Sequence, residues 1–390
     1  MKILFVLGTP NPFPGAAWTR IGFFADAWAK KGHSVEVLGA FSYKSLQKRG
    51  VRKSSGVNIF NLIFNIGLNH PWVFTLNSFI SFIFSTLFLI AKKPNVVIVS
   101  VPTGSIGLGA IMACKLVRAK CVVDYRDEWE DYIISLTSSK IGKSFYLAVK
   151  KLMASLYTKC HLVVAVTPRY VDSLERRGLA NARLVPNGAD VTTFKPLSSR
   201  RKSGFFTIFY SGNIGGYYRL DVAVKAVKKL VDRGLRNVKL VIAGRGEIEK
   251  VLNLALELDV SSNIEHKEVI NDKAELARLI AEADVGLIPY DDNPLWKNSL
   301  PAKFFEYCAC GVPVLATLYE DSILAKLVKD HEIGLTVPPM DEERLAEAVY
   351  WIYMNEPYRE KAGKRAGTLI KERFDRNKIA ENFLKLIEAI

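Results

Sequence analysis

The chain has little cysteine: Cys114, Cys121, Cys160, Cys308 and Cys310 are the five in 390 residues. None forms a CxxC pair, and an odd number cannot pair completely within one chain. A disulfide framework is therefore excluded as the organising principle, and a reducing compartment is expected. Metal signatures are missing too, since there is no HxxxH, EF-hand loop or DxD triplet, and the Asp291-Asp292 pair has no further ligands near it in sequence. No metal and no bound cofactor is expected. No short-period repeat or low-complexity tract is present. The opening MKILFVLG carries one charge and breaks at Thr9-Pro10-Asn11-Pro12, which fits a buried first strand better than a signal peptide.

Hydrophobic residues make up 49% and charged residues 24% of the chain, a balance that supports a large folded core. At about 150 residues per domain, the length predicts two domains. The net charge of +15 is distributed unevenly. Residues 1–200 hold 26 basic and 10 acidic side chains, whereas residues 201–390 hold 28 and 29. Only the first half is thus expected to face a polyanion, either a lipid headgroup layer or phosphates.

Apolar strand-like runs alternate with amphipathic helical windows, the pattern of parallel α/β sheets with helical crossovers. In the first half, strands are predicted near residues 3–7, 34–38, 57–63, 96–101, 120–124, 162–166 and 183–185. In the second half they are predicted near 207–210, 239–243, 264–266, 285–288, 314–316 and 334–337. Residues 186–203, rich in Pro, Gly, Ser, Lys and Arg, read as the linker. The expected fold is α/β, with two facing Rossmann-like doubly wound domains: residues 1–200, residues 201–375, and a last helix, 376–390, that packs back on the first domain. Ligands of such sheets sit at the carboxyl ends of the strands.

From Ser54 to Ala91 there is no Asp, Glu, Lys or Arg, and residues 72–91 are as long as a bilayer-spanning helix. Asn77, Ser81 and Ser85 recur every four residues, which predicts a polar stripe turned inward with Phe79, Phe82 and Phe84 turned elsewhere. Three readings stand open: a membrane-docking face flanked by Lys44, Lys48, Arg49, Arg52, Lys53, Lys92 and Lys93; a buried crossover helix; and a full span. A helix wedged between two strands of one sheet argues against the span.

Chemistry concentrates in a few segments. Leu300-Pro-Ala-Lys-Phe-Phe-Glu-Tyr-Cys-Ala-Cys-Gly-Val-Pro-Val places Lys303 and Glu306 on a helix that ends in a glycine turn before a strand. Tyr210-Ser-Gly-Asn-Ile-Gly-Gly-Tyr-Tyr-Arg places Gly212, Asn213 and Gly215 between a strand and a helix, where amides can approach a diphosphate. Val122-Val-Asp-Tyr-Arg-Asp-Glu-Trp-Glu-Asp131 ends a strand in carboxylates around Arg126. These segments resemble glycosyltransferase family 4, the subgroup with Leu-Pro-x-Lys at the donor helix, and the resemblance continues through the Gly8–Arg20 loop, Gly32-His33, Pro186–Asp190 and Ala283–Pro289.

The resemblance implies a GT-B fold and a retaining, metal-independent hexosyltransferase that uses a nucleotide-sugar as substrate. It implies that Glu306 holds the ribose hydroxyls, a task suited to a carboxylate, which accepts two hydrogen bonds. The family's two glutamates, separated by seven residues, would place the first at position 298, where this chain has Asn298. The loop's usual arginine and lysine are replaced by Asn213 and Tyr218, which leaves Arg219, Arg245, Lys250 and Lys303 to neutralise the leaving diphosphate. Gly15 is expected beside the donor from the opposite domain. Asp127 is expected to orient or deprotonate the acceptor hydroxyl and Arg126 to meet an acceptor phosphate, with Arg20 reaching toward the acceptor. Alternatively, Asp127 and Glu128 are an acidic helix start and Arg20 is a solvated first-turn arginine.

The expected acceptor is lipid-linked or a saccharide, the expected place is the cytoplasmic face of a membrane, and nucleic acid is not an expected partner. Two competitors remain, a GT-B-fold nucleotide-sugar epimerase and a basic nucleic-acid-binding protein.

Overall fold

Runs of valine, isoleucine and leucine become strands buried on both faces, as parallel sheets require. The structure, a computed structural model, describes residues 1–12, 15–54, 56–67, 70–102, 104–197 and 204–390. It divides into two compact units, Met1–Pro186 with Asn377–Ile390, and Asn187–Arg376. The boundary expected at 200/201 and the last six residues of the expected linker lie outside the described residues.

The first unit holds β1 (Lys2–Leu7), β2 (Ser34–Phe41), β3 (Gly50–Ser54), β4 (Val57–Phe64), β5 (Val96–Val101), β6 (Cys121–Tyr125), β7 (Leu162–Ala165) and β8 (Ala182–Leu184). Their order is β3-β4-β2-β1-β5-β6-β7-β8. Every pairing is parallel except β3 with β4. The edge strand β3 was not expected from the sequence: Gly-Val-Arg-Lys-Ser has one apolar residue, and pairing with Val57–Asn61 rather than any pattern of its own makes it a strand.

Period-two alternation sends Leu4 and Val6 to one face of the sheet and Ile3, Phe5 and Leu7 to the other. On the second face, Trp28 stacks on Phe5 at 5.4 Å and on Phe24 at 5.7 Å. Its indole donates to the Ala380 carbonyl at 3.0 Å, and Phe383 meets it edge-on at 5.5 Å. That is how the last helix, Arg376–Glu388, is held.

The second unit holds β9 (Phe206–Ile214), β10 (Val238–Gly246), β11 (Ile264–Lys267), β12 (Val285–Pro289), β13 (Val314–Thr317) and β14 (Gly334–Val337), ordered β11-β10-β9-β12-β13-β14 and parallel throughout. Each sheet reverses its winding once, between β1 and β5 and between β9 and β12. Crevices for ligands open at the carboxyl ends of such reversal points. Both units are therefore the doubly wound α/β type that the sequence predicts.

Candidate functional site

Past its fifth residue, β9 runs on beside β10 as a glycine ribbon in which Gly212 pairs with Gly244 and Ile214 with Gly246. Gly244 has φ +158°, and a Cβ there would lie 1.9 Å from the Gly212 carbonyl, so only glycine lets the two backbones close up. Beyond the ribbon, Gly215 and Gly216 lead to the helix Leu220–Asp232. A hollow of about 270 Å³ lies at this turn, lined by the two glycines, Tyr218–Asp221, Glu247, Lys250 and Val251.

The helix Ala302–Ala309 delivers Lys303 and Glu306 to the same end of the sheet, one turn apart and both buried. The Lys303 ammonium sits 3.6 Å from the ring centre of Tyr218 and 3.9 Å from that of Tyr210. It makes no hydrogen bond among the described residues. Burial pushes its amine well below the usual lysine range, with Glu306 pulling the other way. Burial raises the Glu306 carboxyl, and Arg376, Lys273 and Lys303 oppose that rise, Arg376 most. Tyr307 on the same helix accepts the Ser211 amide at 2.9 Å, which ties the helix to the ribbon.

Of the other cations expected here, Arg219 is committed to Asp221 by two bonds of 2.8 and 2.6 Å and is not a spare charge. Lys250 is largely exposed and pairs with Glu247 at 2.8 Å. Arg245 and Asn213 are exposed, side by side across the ribbon. Of the four cations expected here, Lys303 is thus the one the fold buries. Tyr210, Tyr307 and Arg376 were not singled out in the sequence; the cluster of Tyr210, Tyr217, Tyr218, Tyr290 and Trp296 at strand ends was the available signal.

In the first unit, Gly15 is the exposed residue before the helix Ala16–Lys30, in extended backbone. Arg20 corrects the expectation attached to it. Its guanidinium is buried and bonded to Asp124 at 2.9 Å and to the Val185 and Pro186 carbonyls at 2.9 and 2.7 Å, so it is an internal strut rather than an acceptor ligand.

Arg126 and Asp127 follow β6. Arg126 Nε lies 3.9 Å from Asp124 Oδ2 and has no hydrogen-bond partner among the described residues, and neither has Asp127 Oδ1. Burial pushes the Asp127 carboxyl up to about 6, against the pull of Arg126. Both are buried polar atoms of a kind that ordinarily finds a partner, whether water or a ligand. Glu130 behaves differently: burial raises it to about 7, but Tyr125 donates to it at 3.0 Å and it belongs to the core.

The uncharged segment forms the helix Pro71–Lys92, the crossover from β4 to β5. Its polar side faces the protein. Asn77 bonds both backbone groups of Ile66, at 2.9 and 3.0 Å, and Ser81 donates to the Ile106 carbonyl at 2.7 Å. Its apolar side faces out, with Trp72, Phe79, Phe84, Leu87 and Ile90 exposed. Phe82 is a correction to the expected trio: it is half-buried against the core, where Gly109 of the helix Ser105–Leu116 comes so close that a Cβ would lie 2.6 Å from the Phe82 amide. Lys92 pairs with Glu36 at 2.9 Å, whereas Lys44, Arg49, Arg52, Lys53 and Lys93 are exposed. By length and composition this helix could cross a membrane. Phe74, near its start, stacks on Trp129 at 6.1 Å, beside the loop that carries Asp127. Among the described residues, no group of three or more His, Cys, Asp or Glu side chains is placed to hold a metal ion.

Comparison with known proteins covers both units. Residues 18–193 match the family described as Glycosyltransferase Family 4, and residues 192–368 match Glycosyl transferases group 1. Phosphatidyl-myo-inositol mannosyltransferase of Mycobacterium leprae is 26% identical over 218 residues, 53% of each chain. The chain spans about half the length of the curated relatives it matches. Sucrose-phosphate synthase from Thermosynechococcus elongatus superposes with a TM-score of 0.77 at 16% identity, covering 100% of this chain and 99% of that one. Anabaena Alr3699/HepE, solved in complex with UDP-glucose, gives 0.72 at 16% identity with 100% of both chains covered.

Proposed function

This chain belongs to glycosyltransferase family 4 and has the GT-B fold, and from that premise we propose that it transfers a hexose from a nucleotide-sugar to a lipid-linked or saccharide acceptor, with retention and without a metal ion. One observation carries the donor reading: Lys303 and Glu306 are buried a turn apart at the glycine ribbon, where the second sheet reverses its winding. A carboxylate there accepts two hydrogen bonds from the vicinal hydroxyls of a ribose. Ribbon amides and the Lys303 ammonium neutralise the charge that grows on the departing diphosphate. A donor-bearing relative supports the reading, since Anabaena HepE was solved with UDP-glucose.

The first unit takes the acceptor. Asp127 Oδ1 receives the proton of the acceptor hydroxyl or orients it, and Arg126 Nε meets an anionic oxygen nearby. Neither atom has a hydrogen-bond partner among the described residues. The outward apolar face of the helix Pro71–Lys92 lies on an anionic membrane surface, with Arg52, Lys53 and Lys93 among the headgroups, each worth about 1 kcal/mol. Such a helix lies in the interface rather than across it, because both its ends enter the same sheet. The M. leprae relative is named for a phosphatidylinositol acceptor, which supports a lipid acceptor for this chain as well. The cytoplasmic side is the place where nucleotide-sugars would meet that surface.

The test is product formation. Purified protein is incubated with UDP-glucose or GDP-mannose and liposomes of bacterial lipid extract, and the lipids are then separated. A new glycolipid supports transfer; free sugar or an epimer with no glycolipid supports the epimerase alternative.

A further inference from the structure

Lys303 has an unusual setting for a cation that must meet phosphates. The residue is 6% exposed, its Nζ lies against the faces of Tyr210 and Tyr218, and it has no hydrogen-bond acceptor among the described residues. The nearby phenol oxygens are engaged elsewhere, since Tyr210 donates to the Asn213 carbonyl and Tyr307 accepts the Ser211 amide. Directly above it is the ribbon: a Cβ on Gly212 would stand 3.2 Å from Nζ. The amine is therefore stored under the loop where an anion would arrive.

We propose that Lys303 is an uncharged amine while the donor site is empty and takes up a proton from solvent as a nucleoside diphosphate binds, so that donor binding and protonation are one coupled event. The inference rests on the donor-site reading above and adds its proton balance. The groups that face the amine are Tyr210 from β9, Tyr218 from the glycine loop and Glu306 from its own helix, with Arg376 and Lys273 acting on Glu306. Glu306 is the one carboxyl in that set, and burial raises it above its ordinary value. Attraction to two ring faces is weaker than the cost of stripping water from an ammonium. Burial accordingly lowers the Lys303 amine well below its ordinary range. A diphosphate at the ribbon reverses that balance, because it brings negative charge next to Nζ in a site of low dielectric.

Calorimetry tests this directly. Binding of UDP-glucose and GDP-mannose is measured near pH 8 in buffers of different ionisation enthalpy, and the dependence of the apparent enthalpy on the buffer counts protons. Neither nucleotide-sugar's diphosphate titrates there, so the count belongs to the protein. We expect uptake approaching one proton per donor in the wild type. Lys303→Met should bind about tenfold or more weaker, the loss of one charge-assisted contact, and take up none. Lys303→Arg, charged at any working pH, should bind without uptake. No uptake in the wild type, or the same uptake in Lys303→Met, overturns the proposal. Glu306→Ala keeps the two failures apart. If it binds donor as tightly as the wild type, or no nucleotide-sugar binds at all, the donor reading itself falls; if it weakens binding while the wild type shows no uptake, only the coupling falls.

Discussion

Arg20 and Asp124 form a buried ion pair, Nη2 to Oδ1 at 2.9 Å, that ties the first helix to β6 just before the Arg126-Asp127 loop. Ser100 donates to the other carboxylate oxygen at 3.1 Å, and Arg20 also holds the Val185 and Pro186 carbonyls where the chain leaves the first unit. Removing Arg20 leaves the buried Asp124 with only the Ser100 hydroxyl and, 3.9 Å away, the Arg126 guanidinium to offset its charge. Arg20→Met is expected to destabilise the first unit by about 3–5 kcal/mol, read from urea unfolding. A loss below about 1 kcal/mol, the scale of an exposed pair, would show that the strut is not needed.

Trp28 gives a purely apolar counterpart. It is fully buried among Phe5, Phe24 and Phe383, and its indole holds Ala380. Trp28→Ala should cost about 3–5 kcal/mol and release the last helix. Faster proteolysis within residues 377–390 of the variant is the corresponding sign.

Much of this was legible in the sequence, and what was not has physical reasons. Runs such as Val96–Val101 and Val314–Thr317 are apolar on both faces, so strand and parallel sheet could be read together. β3 could not, because its partner rather than its composition makes it a strand. Glu306 and Lys303 were singled out because their segment resembles the family's donor helix, and the structure buries them one turn apart. Arg20 and Arg219 were misjudged as available cations: a sequence shows that a charge exists, while Asp124 and Asp221 decide where it is used. Phe82 was misjudged because its rotation depends on the close approach of Gly109.

Asp127 sets a pH expectation. Its carboxyl is raised to about 6 in the folded protein, above the ordinary aspartate value of 3.8. Acting as a base, it must be ionised, so kcat/KM should rise through about pH 6 and level above it. The stability effect has the opposite sign. A raised carboxyl means the unfolded chain gives up its proton first, so this group costs stability as pH climbs from about 3.8 to 6 and keeps that cost above. Asp127→Asn should therefore lose transfer activity while gaining stability at pH 8 relative to pH 4. A variant that keeps activity would remove Asp127 from the reaction, and one that is less stable than the wild type at pH 8 would contradict the raised carboxyl.

The apolar face separates two phenylalanines only three residues apart. Phe79 is 58% exposed and Phe82 packs inward. Phe79→Ser combined with Phe84→Ser should abolish sedimentation with anionic liposomes without lowering the melting temperature. Phe82→Ser should instead destabilise the fold by about 3 kcal/mol. Undiminished liposome binding by the double variant would contradict docking through this face.

Everything in the functional account depends on Glu306 as the grip on a nucleotide-sugar, and donor-induced thermal stabilisation tests that grip with the fewest assumptions. A ligand at a hundred times its dissociation constant stabilises by about 2.7 kcal/mol. The wild type should therefore melt several degrees higher with the right nucleotide-sugar, and Glu306→Ala should melt normally alone and show no shift. Equal shifts in both proteins, or none in the wild type across uridine, guanosine, adenosine, cytidine and thymidine diphosphate sugars, would contradict it.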